Sequence, residues 1–215
     1  MSRISQPEKL DSLHASDPDA QASRRDLVKI NRWMGNFTWF EKILNRQCSG
    51  WNHFLEIGAG GGELAMRLIS KVGCSNYTAV DRVPMPENWP QSACWHQGDL
   101  FQYTEYTTAE VLLANLVLHH FNDNELSRIG DRIQQSSITK IVVNEPCRRS
   151  FHKFQLRAGK LIGFNHITLY DGSVSIDAGF RADELPELLG LTSGRWHWQI
   201  EETFMGAYRM IVERG

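Results

Sequence analysis

The chain is predicted to fold as an α/β protein in which helices cover both faces of a mostly parallel sheet. The first observation is an apolar run at 53–57 that passes into a glycine-rich turn at 58–62 and then into helical apolar spacing at 63–69. The second is the alternation of apolar runs with helical patterns along the rest of the chain. The third is a near-continuous apolar run from Val111 to Leu118, typical of a central strand buried on both faces.

Composition narrows the class of protein. The chain has 215 residues, 41% of them hydrophobic, which can bury one substantial core without a second domain. A net charge of −2 indicates no large basic face for nucleic acid. The four cysteines lack C-x-x-C spacing, so neither a metal site nor a disulfide framework is indicated. With no apolar signal core and no apolar run long enough to span a bilayer, we expect a cytoplasmic protein without membrane insertion.

The first 50 residues are predicted to precede the sheet. Residues 1–22 are polar and aperiodic, and we expect them to form a flexible or loosely docked tail. A capping pattern at Ser23 and Asp26 then predicts a helix start, and apolar residues at helical spacing follow. Residues 23–50 are therefore predicted to form a helical cap of one helix, or of two helices broken near Gly35.

The glycine-rich turn indicates a ligand site. Gly58, Gly60 and Gly62 allow positive φ and a close approach of the backbone to a ligand, because no Cβ stands in the way. The helix that follows presents free N–H groups to negative or polar ligand atoms. A dinucleotide fingerprint would need glycine at position 63, but the chain has Glu63, whose carboxylate would face a pyrophosphate. An NAD(P)-dependent oxidoreductase is therefore the least favoured enzyme class.

The pattern Glu-x-Gly-x-Gly-x-Gly, from Glu56 to Gly62, resembles the class I (Rossmann-like) methyltransferases that use S-adenosylmethionine. The resemblance covers roughly residues 25–215 and implies a seven-stranded, mostly parallel, doubly wound sheet with an antiparallel last strand. It places the Rossmann-like domain at 51–215, with a substrate lid at about 150–180. The motifs Asn-Leu-Val-Leu-His-His-Phe and Arg-Arg-Ser also look like those of a bacterial small-molecule subgroup, partly associated with type III polyketide products.

The resemblance implies S-adenosyl-L-methionine as the cofactor. Asp81 ends the second predicted strand, where an acid can accept both ribose hydroxyls, although an ordinary strand-end cap is the alternative. The resemblance assigns the adenine amino group to Asp99, for which a turn-forming role beside glycine is the alternative. The other predicted cofactor-binding residues are Glu56, Gly58, Ala59, Gly60, Gly62, Arg82, Gly98, Leu100, Asn115 and Leu116.

Two histidines follow the apolar run of the fourth strand. His119 and His120 are adjacent at a predicted strand end, so their side chains are expected to diverge. His119 is favoured as the base that ionises a substrate hydroxyl, and the alternative for both is a hydrogen bond beneath the cofactor. The segment 164–175, rich in aromatic, hydroxyl and turn residues without a clean period, is expected to form the lid. The predicted substrate-binding residues are Trp33, His166, Tyr170 and Ser175, with plain surface packing as the alternative for Trp33.

The predicted activity is methyl transfer from S-adenosylmethionine to a small, aromatic, hydroxylated metabolite, with O-methylation favoured. The alternatives are a C-methyltransferase acting on a quinone or polyketide-like substrate, and a non-catalytic cofactor-binding protein. The chain departs from the subgroup at Glu110 and Glu145, where Asp is usual, which leaves the substrate open. The expected partner is the small-molecule substrate, with no nucleic acid, and the sequence does not indicate an oligomeric state.

Overall fold

A computed structural model describes residues 2–14, 16–47, 53–74 and 76–215. Its strands are β1 (Phe54–Ile57), β2 (Tyr77–Asp81), β3 (Ala93–Gln97), β4 (Val111–Asn115), β5 (Lys140–Pro146), β6 (Trp196–Glu202) and β7 (Ala207–Arg214). They form one seven-stranded sheet in the order β3-β2-β1-β4-β5-β7-β6. Strands β1 to β5 are parallel, and β7 runs antiparallel to both β5 and β6. The predicted α/β sheet with an antiparallel last strand is confirmed.

Helices cover both faces of this sheet. They are α1 (Pro18–Met34), α2 (Asn36–Gln47), α3 (Glu63–Val72), α4 (Asp123–Gln134), α5 (Ser150–Ala158), α6 (His166–Ala178) and α7 (Glu184–Leu188). Successive residues of β4 point to opposite faces, so Leu112 packs with Leu126 and Ile129 of α4, while Leu113 packs with Leu64 and Leu68 of α3. The doubly wound arrangement therefore follows from strands that are apolar on both faces.

The predicted break in the N-terminal cap is confirmed at Gly35, but the predicted start is wrong. Gly35 adopts a φ of 66° between α1 and α2. Helix α1 begins at Pro18, because the side chain of Asp17 accepts the N–H groups of Asp19 and Ala20. Ser23, the predicted first cap, lies inside this helix. The predicted boundary between the cap and the main domain, at 50 and 51, lies outside the described residues, and the division into domains stays a prediction.

The segment 2–13 is docked on the body of the protein, which agrees with the docked alternative for the predicted tail and not with the flexible one. The N–H of Ile4 donates to the carbonyl of Asp177 at 3.1 Å, and the Arg3 guanidinium donates to the carbonyl of Phe121 at 2.5 Å. The buried carboxylate of Asp171 accepts the N–H groups of Lys9 and Leu10. Partners more than a hundred residues away satisfy these polar groups, so local composition could not reveal the docking.

The predicted irregular lid is a regular helix, α6. The side chain of Asn165 caps it by accepting the N–H of Ile167 at 2.7 Å. Its buried residues are polar as well as apolar and lie on more than one side; they are Ile167, Thr168, Asp171, Val174, Ile176 and Ala178. Because α1, α5 and the segment 2–13 surround this helix, it has no single apolar stripe, and that is why periodicity failed there.

None of the helices in the described ranges combines the length and apolarity that a bilayer crossing requires.

Candidate active site

The glycine turn between β1 and α3 has the backbone geometry that the sequence predicted. Gly58 and Gly60 adopt φ values of 67° and 57°. The carboxylate of Asp81, at the end of β2, accepts the N–H of Gly60 at 2.7 Å and that of Val83 at 3.0 Å. A Cβ at Gly58 would lie 2.2 Å from a methyl carbon of Val117, so only glycine fits there. Asp81 thus braces the turn from the neighbouring strand.

A cavity of about 1010 Å³ opens at the carboxyl ends of the strands, next to this turn. One end is bounded by the turn, by Glu56 and Glu63, and by Asn115 and Leu116 at the end of β4. The other end lies between α1, α5 and α6 and is mostly apolar; its walls include Leu27, Ile30, Trp33, Met34, Leu156, Phe164 and Ile176. The cavity is therefore larger than one small molecule requires and joins a polar end to an apolar end.

Glu56 places a carboxyl group under the polar end. It is only 1% exposed, and its Oε2 accepts the hydroxyl hydrogen of Tyr77 at 2.7 Å. Burial raises the pKa of Glu56 to about 8, which outweighs the opposing effect of the Tyr77 hydrogen bond. The acid is therefore largely neutral at pH 7 in the absence of a cationic neighbour.

The turn that follows β4 is held by Glu145, the last acid of β5. Its fully buried carboxylate accepts hydrogen bonds from the backbone N–H groups of Val117 and Leu118, at 3.0 and 2.8 Å. The same carboxylate lies 2.7 Å from Nδ1 of His119. Leu116 adopts a φ of 57° in this turn, a left-handed conformation that is uncommon for a non-glycine residue. Such strain is typical of functional sites.

His119 lies between two carboxylates. Its Nε2 is 3.5 Å from Glu8 of the docked N-terminal segment, and Glu8 in turn accepts the hydroxyl hydrogen of Ser175. Burial lowers the pKa of His119, but the hydrogen bonds and charges of Glu145 and Glu8 outweigh burial and raise the pKa to about 9. The neutral imidazole that a base requires is therefore the minor form of His119 at pH 7.

The rings of His119 and His120 do not diverge, contrary to the prediction. Their centroids are 4.2 Å apart and their planes are inclined by 33°. The reason is that Leu118–His120 forms a 3-10 turn rather than the end of a strand, so alternation does not apply. Glu8, His119 and His120 each place one potential metal-ligand atom within 4.8 Å of the other two. The sequence did not indicate this cluster. The ion pair between Glu8 and His119 is sufficient to explain why these atoms lie close together.

The predicted cofactor-binding residues fall into two groups. Those in the cavity wall are Glu56, Gly58, Ala59, Gly60, Asn115 and Leu116. The others, Gly62, Asp81, Arg82, Gly98, Asp99 and Leu100, lie beside the turn and along the ends of β2 and β3. Within this second group Asp99 accepts the N–H of Phe101 and pairs with Arg82 at 2.8 Å, and these contacts hold the pKa of Asp99 below its usual range.

The structure separates the four predicted substrate-binding residues. Trp33 and Ser175 line the cavity, and Trp33 stacks on Phe164 with the ring centroids 5.8 Å apart. His166 and Tyr170 do not line it, which disagrees with the prediction. The side chain of His166 is 69% exposed and faces Asp19, and Lys9 covers the ring of Tyr170. His166 and Tyr170 do not reach the cavity because both lie on the outer side of α6.

The site residues that were not predicted include Glu8, Glu145 as the partner of His119, and His152. The side chain of His152, on α5, lines the cavity and is 5% exposed. Its Nδ1 contacts Oε1 of Gln155 at 2.8 Å, whereas its Nε2 is buried without a hydrogen-bond partner among the described residues. The only local signal was its place just after Arg-Arg-Ser, which does not distinguish it from a core histidine.

Solved structures of methyltransferases have the same architecture. The plantazolicin methyltransferase BpumL, in complex with S-adenosylhomocysteine, superimposes with a TM-score of 0.71 at 12% identity, covering 93% of this chain and 91% of BpumL. The chain has the Rossmann-like methyltransferase fold. The pyocyanin biosynthetic protein PhzM gives a TM-score of 0.64 at 17% identity over 97% of this chain and 62% of its own.

A third structure agrees with these two. A putative O-methyltransferase from Nostoc punctiforme gives a TM-score of 0.57 at 14% identity, covering 84% of this chain and 56% of that protein. The sequence matches no protein-family model and no curated protein. The resemblance to the polyketide-associated subgroup is therefore not confirmed.

Proposed function

We propose that this protein transfers a methyl group from S-adenosylmethionine to an oxygen atom of a small aromatic substrate. The observation that carries the proposal is the glycine turn braced by Asp81 at the polar end of a large cavity. The fold agrees with the proposal, because BpumL, which has the same fold, was solved in complex with S-adenosylhomocysteine.

The residues of the polar end fit this cofactor. A Cβ on Gly60 would meet nothing within 4 Å, so the turn faces open space there, whereas Gly58 is closed off by Val117. In the proposed complex, Asp81 holds the ribose hydroxyls and Glu56 lies under the positively charged amino-acid part of the cofactor. Asp99 remains the proposed acceptor for the adenine amino group. When bound, the cofactor supplies a methyl group already activated by a sulfonium.

The apolar end suits the substrate. Helices α1, α5 and α6 enclose it, and the stacked rings of Trp33 and Phe164 present a flat apolar surface. An aromatic substrate is favoured because it gains stacking as well as apolar burial on these rings. The motifs after β4 and β5 support a polyketide-like phenol. Enclosure also excludes water and orients the reactants, which can be worth effective molarities of about 10⁵–10⁸ M.

His119 and His120 remain proposed catalytic residues, with a role that the geometry redefines. The predicted base role of His119 needs its neutral form, but Glu145 and Glu8 raise its pKa to about 9. A protonated imidazole instead stabilises a developing phenolate by charge and hydrogen bonding. We therefore assign His119 to binding the substrate oxygen in place of the Glu8 carboxylate, with His120 stacked beside it.

The test is incubation with labelled S-adenosylmethionine and a panel of phenols, quinones and polyketide-like acids. Product analysis by mass spectrometry and NMR identifies the methylated atom. Methyl ethers from at least one phenol are expected. If only carbon atoms were methylated, the proposed O-methyltransferase would have to be replaced by a C-methyltransferase. If the protein bound the cofactor but methylated no member of the panel, a non-catalytic cofactor-binding protein would be favoured.

A further inference from the structure

We propose that His152 accepts the hydrogen bond, and then the proton, of the substrate hydroxyl through its Nε2. The observation is a buried ring nitrogen without a hydrogen-bond partner among the described residues, on a side chain that lines the cavity. An unpaired buried acceptor costs roughly as much as a lost hydrogen bond, so such an atom in a cavity wall indicates a ligand group. The inference rests on the proposed function.

The hydrogen-bond network fixes which nitrogen of His152 carries the proton. The side-chain amide of Gln155 donates through its Nε2 to the carbonyl of Phe204 at 3.2 Å, so its Oε1 points to the ring. An amide oxygen only accepts, so Nδ1 of His152 must be the donor in this 2.8 Å contact. In the neutral ring Nε2 is then an acceptor, on a side chain that lines the cavity, with no hydrogen-bond partner among the described residues.

The surrounding chain holds the ring in place. Gly206, with a φ of 91°, lies in the turn between β6 and β7 and also lines the cavity. A Cβ there would approach Cγ of His152 to 3.1 Å, so the glycine leaves room for the ring. The N–H of His152 donates to the carbonyl of Arg149 at 3.0 Å, which fixes the start of α5. His152 is therefore oriented before any substrate arrives.

His152 and His119 differ in the way that the chemistry requires. Both ring nitrogens of His119 face carboxylates, whereas Nε2 of His152 has no hydrogen-bond partner in the part of the chain that the structure describes. In the proposed step the O–H bond of the substrate breaks and the proton goes to Nε2 of His152. The oxygen uses its electron pair to bond the methyl carbon, and the bond from that carbon to sulfur breaks with its pair left on sulfur. The ring later returns the proton to solvent.

Two measurements test this assignment, and the first is independent of turnover. In the wild-type protein labelled with ¹⁵N-histidine, the His152 signal, assigned by its loss in His152→Gln, should show an unprotonated Nε2. Adding a phenol in the presence of S-adenosylhomocysteine should shift that signal. A protonated Nε2 in the free protein, or a signal that no phenol moves, would overturn the proposal even if the protein is an active methyltransferase.

The second measurement is the rate of methyl transfer to a phenol. His152→Gln should lower it by about 10²–10³, within the usual range for removal of a base, with unchanged affinity for S-adenosylhomocysteine. The matched control is a change at His197, an exposed histidine on β6, and His197→Gln should leave the rate of methyl transfer unchanged.

Gln155→Leu removes the hydrogen-bond partner of Nδ1 and should lower kcat. Gln155→Glu keeps an acceptor for Nδ1 and should retain part of the kcat that Gln155→Leu loses. A folded His152→Gln that turns over at the wild-type rate would refute the base role. A wild type that transfers no methyl but shows the phenol-dependent shift would refute the proposed function alone.

Discussion

The carboxylate of Glu145 is 2.7 Å from Nδ1 of His119 and also accepts three backbone N–H groups of the turn after β4, those of Val117, Leu118 and His119. One buried acid thus fixes both the backbone of this turn and the orientation of its histidine. On the other side of the ring, Glu8 ties the N-terminal segment to the same residue. The charge on His119 therefore links the docking of residues 2–13 to the candidate active site.

This arrangement predicts a pH-dependent stability. The pKa of His119 rises from its ordinary 6.5 to about 9 in the folded protein, so its stabilising effect is complete below pH 6.5 and lost as the pH passes about 9. Relative to His119→Gln, the wild-type free energy of unfolding should fall across this window by at most roughly 3 kcal/mol. Urea denaturation at a series of pH values measures it. A constant difference from pH 6.5 to 9 would show that the two carboxylates do not hold a proton on His119.

Glu56 predicts a second pH effect with a lower window. The pKa of Glu56 is about 8 in the folded protein and 4.5 ordinarily, so between these pH values the folded state holds a proton that the unfolded state releases. The free energy of unfolding of the wild type therefore falls as the pH rises from 4.5 to 8. Glu56→Gln keeps an acceptor for Tyr77 but carries no charge. The variant should gain stability over the wild type from pH 4.5 to 8, by an upper limit of roughly 5 kcal/mol. Parallel unfolding curves for both proteins at all pH values would contradict a neutral Glu56.

Gly58 and Gly73 form a matched pair for testing the glycine turn. Both adopt positive φ, 67° and 78°, but a Cβ at Gly58 meets Val117 whereas one at Gly73 meets nothing within 4 Å. Backbone strain should make each change to Ala cost about 1–3 kcal/mol, and the clash with Val117 should add to that cost at Gly58. Only Gly58→Ala should also weaken binding of S-adenosylhomocysteine, as measured by calorimetry together with thermal unfolding. Equal affinity in the two variants would show that the turn does not form the cofactor site.

Asp81→Ala should weaken cofactor binding without unfolding the protein. Loss of charge-assisted hydrogen bonds to the ribose is worth roughly 1.5–3 kcal/mol, or about one to two decades in affinity. Asp131→Ala, an exposed acid on α4, is the control and should bind like the wild type. Titration calorimetry with S-adenosylhomocysteine gives both affinities. If Asp81→Ala bound as tightly as the control, the ribose would have to lie elsewhere.

The sequence predicted best what local chemistry decides. The apolar runs of β1, β4 and β5, the glycine turn and the break at Gly35 depend on neighbouring residues, and the structure agrees with each of them. The start of α1 was misread because Asp17 and Ser23 are both acceptable caps, and only the packed helix distinguishes them. Helix α6 was missed because its buried surface faces several partners.

The candidate site could be predicted only in part. The glycines and Asp81 lie in a recognisable local pattern, whereas Glu8 approaches His119 only after the N-terminal segment docks on α6. The role of His152 depends on the orientation of Gln155, which a contact with the turn between β6 and β7 sets. Such relationships join residues far apart in the chain, so no spacing rule reveals them.

Titration calorimetry of the free protein measures whether the glycine turn and Asp81 bind S-adenosylmethionine. We expect S-adenosylhomocysteine to bind with a Kd in the micromolar range, about −8 kcal/mol, and NAD and NADP to show no comparable binding. Tighter binding of NAD than of S-adenosylhomocysteine, or no binding of S-adenosylhomocysteine by folded protein, would contradict the assignment.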